Sequence, residues 1–322
     1  MPVEPAVLVL GDANPDLVLH GDVVPRFGQA EQLLDRLHLV LGGSAAIVAC
    51  GLAALDVPVG LAAVVGDDVF GRTVLAALGE RGVDTSAVRV DPGTPTGISV
   101  ILAPGGDAAD HPGGDRAILT YPGTIPALRA DEVSDGLLRR TTHVHVASYF
   151  LQPQLAADLP QLLARARAAG CTTSLDTNWD PACRWTGVVD VLGLVDVFLP
   201  NAAELHAVAD AAGLAPGDLA DRAEALRRLG PALAQVVVKA GADGGLAATA
   251  DGVVRAPGLP VAVVDTTGAG DSFDAGFLAA FVRRLPVAEC LRWAAAAGSL
   301  STRAAGGTAA QARSAELARA LV

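Results

Sequence analysis

The sequence predicts an α/β fold: a three-layer α/β/α sandwich around a mostly parallel central sheet, with a small β-sheet lid. Three observations predict it. Short continuous apolar runs alternate with helix patterns almost throughout, which implies parallel strands with helices on both faces. The 322 residues are 51% hydrophobic, and no linker or repeat divides them. That is enough apolar material for a large core, and one domain over 1–322 is expected. Two stretches, about 15–40 and 96–122, read as lid insertions: the first breaks into short alternating pieces around Gly and Pro, the second is two strands about a long loop.

Composition excludes some functions. A net charge of −12 with no basic run argues against nucleic acid and anionic membrane as partners. Lys239 is the only lysine. Cys50, Cys171, Cys183 and Cys290 lack Cys-x-x-Cys spacing and read as small core residues or reduced thiols. The first residues are acidic and carry no basic n-region, and no apolar run approaches a membrane span. A cytoplasmic protein is expected.

Ala6 to Leu10 is a buried-strand pattern ending at Gly11-Asp12-Ala13-Asn14-Pro15-Asp16. Ligands of open α/β sheets gather at strand carboxyl ends. Asp12, Asn14 and Asp16 are therefore placed to bind polyol hydroxyls, or they simply form a turn. Gly42-Gly43 opens a helix running to Leu55; the pair permits close ligand approach or marks a loop–helix junction. Val57 to Val65 is a second buried strand. Asp67 and Asp68 behind it suit helix capping, before Val69 to Leu78, better than a metal pair.

Thr96 to Leu102 and Arg116 to Tyr121 are strands flanking a Gly/Pro/Asp loop, where His111 reads as solvated. His143 and His145, at strand spacing, face one way, yet no acidic or cysteine partner follows nearby to complete a metal site. Pro153 to Ala169 is a helix and Cys171 to Leu175 a strand. Asp176 and Asn178 follow it, and Trp179 suits stacking or packing. Val195 to Leu199 is a strand, and Asn201 with Glu204 has capping-box spacing. Leu219 to Leu229 is a helix. Gln235 to Val238 is a strand running into Lys239, Gly241 and Gly244. A hairpin turning at Asp251-Gly252 comes next.

A strand-like run, Leu259 to Val264, leads into Asp265-Thr266-Thr267-Gly268-Ala269-Gly270-Asp271, and a helix over about 269–284 leads out. Amides at a helix start lack partners, and with the helix dipole they form an anion site. Asp271 in that first turn is either a favourable helix-start acid or a general base for a hydroxyl attacking a phosphate. No Gly-x-x-x-x-Gly-Lys-Ser/Thr loop is present. A second, alanine-rich helix spans Ala288 to Arg303.

The run Asp-Thr-Thr-Gly-Ala-Gly-Asp-Ser-Phe at 265–273 resembles the C-terminal signature of the ribokinase-like (PfkB) carbohydrate kinases. The resemblance covers almost the whole chain, in the family's motif order. It implies transfer of the γ-phosphate of ATP to a sugar or sugar-acid hydroxyl, a primary CH2OH by preference. It implies Asp271 as base and the Gly268, Ala269 and Gly270 amides as anion hole. Asn14, Asp16, Gly42 and Gly43 would hold the sugar, and Lys239, Gly241 and Gly244 the nucleotide. Glu204 and Asn201 would support Mg²⁺ through phosphate and water, and Asp265 with nearby carbonyls would hold K⁺. The chain departs from the family at Ile47, where an Asn usually binds substrate. A lid would exclude water, and its flat face would suit a homodimer. A nucleoside kinase of the same fold, or a non-catalytic sugar-binding regulator, are the alternatives.

Overall fold

The computed structural model describes residues 6–28, 31–104 and 116–321; the His111 loop lies outside them. Thirteen strands are described: β1 Val7–Leu10, β2 Asn14–Gly21, β3 Arg36–Gly42, β4 Val59–Gly66, β5 Asp84–Asp91, β6 Ile98–Pro104, β7 Ala117–Tyr121, β8 His143–Val146, β9 Thr172–Leu175, β10 Val197–Phe198, β11 Gln235–Lys239, β12 Gly245–Thr249 and β13 Gly252–Ala256. Ten α-helices accompany them: α1 Ser44–Ala54, α2 Val69–Glu80, α3 Asp135–Leu138, α4 Pro153–Ala168, α5 Val188–Leu192, α6 Ala202–Ala211, α7 Leu219–Arg227, α8 Ala269–Phe281, α9 Val287–Ser301 and α10 Ser314–Ala320.

Nine strands form the main sheet in the order β13-β12-β11-β10-β9-β8-β1-β4-β5. β1 pairs in parallel with both β4 and β8, so the winding reverses there. This reversal leaves a crevice beyond the carboxyl end of β1. Side chains of β1 alternate between two cores. Val7 and Val9 pack with apolar residues of α1, α8 and α9, and Leu8 and Leu10 with those of α4, α6 and α7. The long apolar runs of β1 and β4 are buried throughout, as strands covered on both faces must be.

The lid is a separate sheet, β3-β2-β6-β7, in which only the β2–β6 pair is parallel. It begins at Asn14 rather than beyond the turn. Asn14 and Asp16 are therefore lid-strand residues two apart, on one face of the ribbon.

One local expectation changes. Leu259 to Val264 joins no sheet: Leu259 N–H donates to Ser299 Oγ at 3.0 Å, and Val264 and Asp265 N–H to Thr302 O at 2.8 and 3.1 Å. Its amides serve the end of α9, and Val263 and Val264 stay 61% and 64% exposed. β5 has no uniform apolar run, because it is a half-buried edge strand. The expected β12–β13 hairpin closes one edge of the sheet, with β12 running against the other strands and β13 with them.

Candidate active site

The site forms where β1, β2, α1 and α8 converge. Asp12, just past β1, accepts from Ala45 N–H at 3.1 Å and Ser148 Oγ at 2.9 Å through Oδ1. Asn14 Nδ2 donates to Asp16 Oδ1 at 3.0 Å. Gly42 faces this pair: a Cβ there would lie 2.1 Å from the Asp16 carboxyl carbon. Gly43 has φ +85°, and its Cβ would lie 2.8 Å from Asp12 O. Both positions exclude a side chain: the Asp16 carboxylate occupies the space at Gly42, and the Asp12 backbone that at Gly43. Burial, reinforced by Asp12, pushes Asp16 up to about 7.

The anion loop lies at the start of α8. Gly268 caps it in the left-handed region, φ +70°. A Cβ on Gly268 would meet Gly307 Cα at 2.6 Å and Ile47 Cγ2 at 3.2 Å. Ile47 therefore fills the space behind the loop, buried, where a polar side chain would have to find a partner. Ala269 N–H turns back to Thr266 O at 3.2 Å, while the first-turn amides of Gly270 and Asp271 have no intrahelical acceptor. Ser44 Oγ donates to Asp271 Oδ1. Burial pushes Asp271 up to about 7, with Ser44 opposing and the Asp176 charge adding.

Behind the loop sits a buried charge cluster. Lys239 Nζ donates to Asp176 Oδ2 at 2.9 Å and Asp274 Oδ2 at 3.1 Å. A Cβ on Gly270 would lie 3.8 Å from that ammonium. Burial disfavours the lysine charge, but Asp176, Asp274 and Glu204 outweigh it and hold Lys239 above its usual range. Asn201 and Glu204 form the reciprocal capping box of α6 at 2.8 and 2.9 Å. Burial and the Asp176 charge raise Glu204 to about 7. Asn201 also bridges to Lys239 in the sheet, which joins this pair to the cluster.

Beside the loop opens a cavity of about 540 Å³ lined by Lys239, Gly241, Gly244, Gly270, Leu259 and Phe273, among others. Gly244 has φ +86°, and a Cβ there would strike Ala256 O at 2.2 Å. Apolar walls closed by glycines suit a flat base. The structure thus joins Asn14, Asp16, Gly42 and Gly43 to Asp271 on one side of the loop, and Lys239, Gly241 and Gly244 to Gly270 on the other.

Asp265 stands apart, towards the lid. Its Oδ1 accepts from Thr267 N–H at 2.9 Å and Thr267 Oγ1 at 2.8 Å, and its Oδ2 from Gly306 N–H at 2.8 Å. Arg116 Nη1, at the lid's edge, lies 3.5 Å from Asp265 Oδ1 and 2.6 Å from Thr267 Oγ1. Burial raises Asp265, yet the bonds from Gly306 and Thr267 outweigh it and keep the carboxyl below its usual range. Oδ1 carries most of these contacts, while Oδ2 accepts only the one from Gly306. Arg116 was not legible beforehand, since one arginine after a glycine-rich loop carries no spacing signal; nor was Ser44, seen only as the residue after Gly-Gly.

His143 and His145 are core residues. Both hydrogen-bond Ser174 Oγ, at 2.7 and 2.8 Å. Burial pushes them down, to about 3 and about 4, so both are neutral. Trp179 packs edge-on against Trp185, 5.1 Å between centroids. Among the described residues, no cluster of three or more His, Cys, Asp or Glu could hold a metal ion.

A buried amide–carboxylate pair, a buried aspartate and a glycine-built helix start beside a cavity are parts that a phosphotransferase with an alcohol acceptor requires. The chain belongs to the pfkB family of carbohydrate kinases, whose family model matches residues 5–313. It is 33% identical over 296 residues to an ATP-dependent ribose-1-phosphate kinase of Halopiger xanaduensis, covering 92% of this chain and 91% of that one. It is 28% identical over 309 residues to a ribokinase of Arabidopsis thaliana, covering 94% and 77%. The structure of Arabidopsis thaliana ribokinase complexed with ribose and ATP matches with a TM-score of 0.82 at 26% identity, covering 98% of each chain. An E. coli protein assigned as ribokinase II, solved with ATP and Mg²⁺, shares the fold with a TM-score of 0.84 at 23% identity, covering 98% and 99%.

Proposed function

We propose that this protein transfers the γ-phosphate of ATP to a hydroxyl, by preference a primary CH2OH, of a monosaccharide or sugar acid. One observation carries the reading: at the helix start that offers amides to an anion, Asp271 is held by Ser44, next to the Gly42–Gly43 turn that packs on Asp16, and directly follows Gly270 in the cavity wall. Asn14 and Asp16 hold acceptor hydroxyls, and Gly42 and Gly43 shape that side of the site by making room for the Asp16 carboxylate and the Asp12 backbone. Asp271 takes the hydroxyl proton. The acceptor oxygen bonds to the γ-phosphorus as the bond to the ADP oxygen breaks. The amides at the start of α8 stabilise the equatorial charge. Arg116 stands at Thr267 as a further positive group against that charge. Adenine lies in the cavity against Gly241 and Gly244, and Lys239 keeps Gly270 in place from behind. Mg²⁺, when bound with ATP, neutralises phosphate charge, and Glu204, with Asn201 anchoring its helix, would hold it through water.

The reading also carries a homodimer formed through the outer face of the lid, and a cytoplasmic site of action, where ATP is available. The experiment is ADP release by purified protein with Mg·ATP across sugars, sugar phosphates, sugar acids and nucleosides. Saturable release with one acceptor class supports the reading. Absence of both release and calorimetric ATP binding would overturn it.

A further inference from the structure

One contact in the site serves none of the roles assigned above. Ser44 is the first residue of α1, directly after Gly42-Gly43, and its buried hydroxyl donates to Asp271 Oδ1. The two residues are 227 positions apart in sequence. Ser44 has little freedom to move. The next two residues are clamped to the end of β1: Ala45 N–H donates to Asp12 Oδ1 at 3.1 Å, and Ala46 N–H to Asp12 O at 3.2 Å. Gly43 just before it is locked at φ +85° against Asp12 O.

We propose that Ser44 is a positioning residue for the reaction: it holds Asp271 by Oδ1, leaves Oδ2 as the oxygen that takes the acceptor's proton, and ties the base to the sugar-binding turn. This rests on Asp271 as the base. The serine keeps its own proton throughout; the proton that moves is the acceptor's, from its oxygen to Asp271 Oδ2. An Asp side chain has a two-fold choice of oxygen about its last torsion. A donor fixed on one oxygen removes that choice, and pre-organisation of this kind is worth orders of magnitude in rate when the geometry is tight.

The charged groups around Asp271 come from every neighbouring element. Asp12 approaches from β1, Asp176 from β9, Lys239 from β11, and Asp274 from one turn on in α8. Asp12 and Asp176 favour the protonated acid, and Lys239 the carboxylate. Ser44 is a neutral donor among them, in direct contact with the carboxylate, and it too favours the charged form.

The test is the pH dependence of kcat/KM for the acceptor in wild type, Ser44→Ala, Ser44→Thr and Asp271→Asn. The alanine variant should move the acid limb up by about one pH unit, as loss of a bond to a charged group predicts. Its plateau kcat should fall about 10-fold, with KM for ATP unchanged. Threonine keeps the hydroxyl and should restore both. An unmoved limb, with the loss confined to KM for the acceptor, would make Ser44 an ordinary sugar contact and overturn the proposal. Should the alanine variant not fold, Ser44→Cys keeps the volume with a weaker donor and reads the same shift. If Asp271→Asn keeps both the rate and the limb, the base itself is misassigned, and that result is distinct from an unmoved limb in the alanine variant.

Discussion

Asp271 concentrates the chemistry, and the predictions about it are sharp. A base must be ionised to accept a proton, and burial places this carboxyl at about 7. Rate should therefore rise with pH through neutrality and flatten above it, in a kcat/KM profile of the free enzyme. Asp271→Asn should retain the fold and lose about 10²–10⁴ in rate. The same shift makes a stability prediction. The folded carboxyl binds its proton more tightly than the unfolded one, so between pH 4 and 7 its contribution to stability falls as pH rises. The asparagine variant should therefore melt a few degrees higher than wild type at pH 8 and differ little at pH 4, as thermal scans at both values would show. Gly42→Ala is the matching test on the sugar side. Its new Cβ would fall 2.2 Å from both Asp16 carboxylate oxygens, so Asp16 must move. KM for the acceptor should rise about 10-fold or more, while ATP affinity measured by calorimetry stays.

At the scale of elements, legibility depended on whether local pattern and tertiary role agreed. β1 and β4 are continuous apolar runs because both faces are covered, and they were plain in the sequence. The start of α8 was plain because Gly268 at φ +70° and the free first-turn amides are local features. Leu259 to Val264 looks like those strands and is not one, because its amides find Ser299 and Thr302 of α9 instead of a neighbouring strand. β5 lacked a pattern because only part of it is covered. The site residues divide the same way. Asn14, Asp16, Gly42 and Gly43 stood out at a strand end and a glycine pair, but local pattern fitted a turn as well, and only the resemblance to a family pointed to a sugar. Arg116, Ser44 and the Lys239–Asp176–Asp274 cluster did not stand out, since each depends on contacts between elements far apart in sequence. Lys239 shows the energetic consequence. Replacing it with Met leaves Asp176 and Asp274 buried together without their cation, and breaking such a cluster costs about 3–5 kcal/mol. Denaturant melts of Lys239→Met should show that loss even with no ligand present.

For the whole molecule, the lid decides how the chain meets its surroundings. Strand register places Leu39, Leu17, Val100 and Leu119 in one row across it, and Leu37, Leu19 and Leu102 in the next. Paired residues in a sheet share a face, so these rows form one apolar surface. The opposite face carries Asp16, Ser99 and Thr120 towards the site. Leu37, Leu39 and Leu119 are about half exposed or more, although the sheet has a face that would be buried in any compact arrangement. A flat apolar sheet face of this width is rarely left in water. A second copy is the occupant expected here, because it would bury two such faces at once and steady both lids over their sites. Leu39→Lys with Leu119→Lys puts charge in the middle of the rows without touching the acceptor face. Light scattering should find wild type at twice the chain mass and the double variant at the chain mass. If the lid needs its partner to close, the variant should also raise KM for the acceptor more than KM for ATP. A monomeric wild type would remove the dimer and leave the catalytic reading of Asp271 standing.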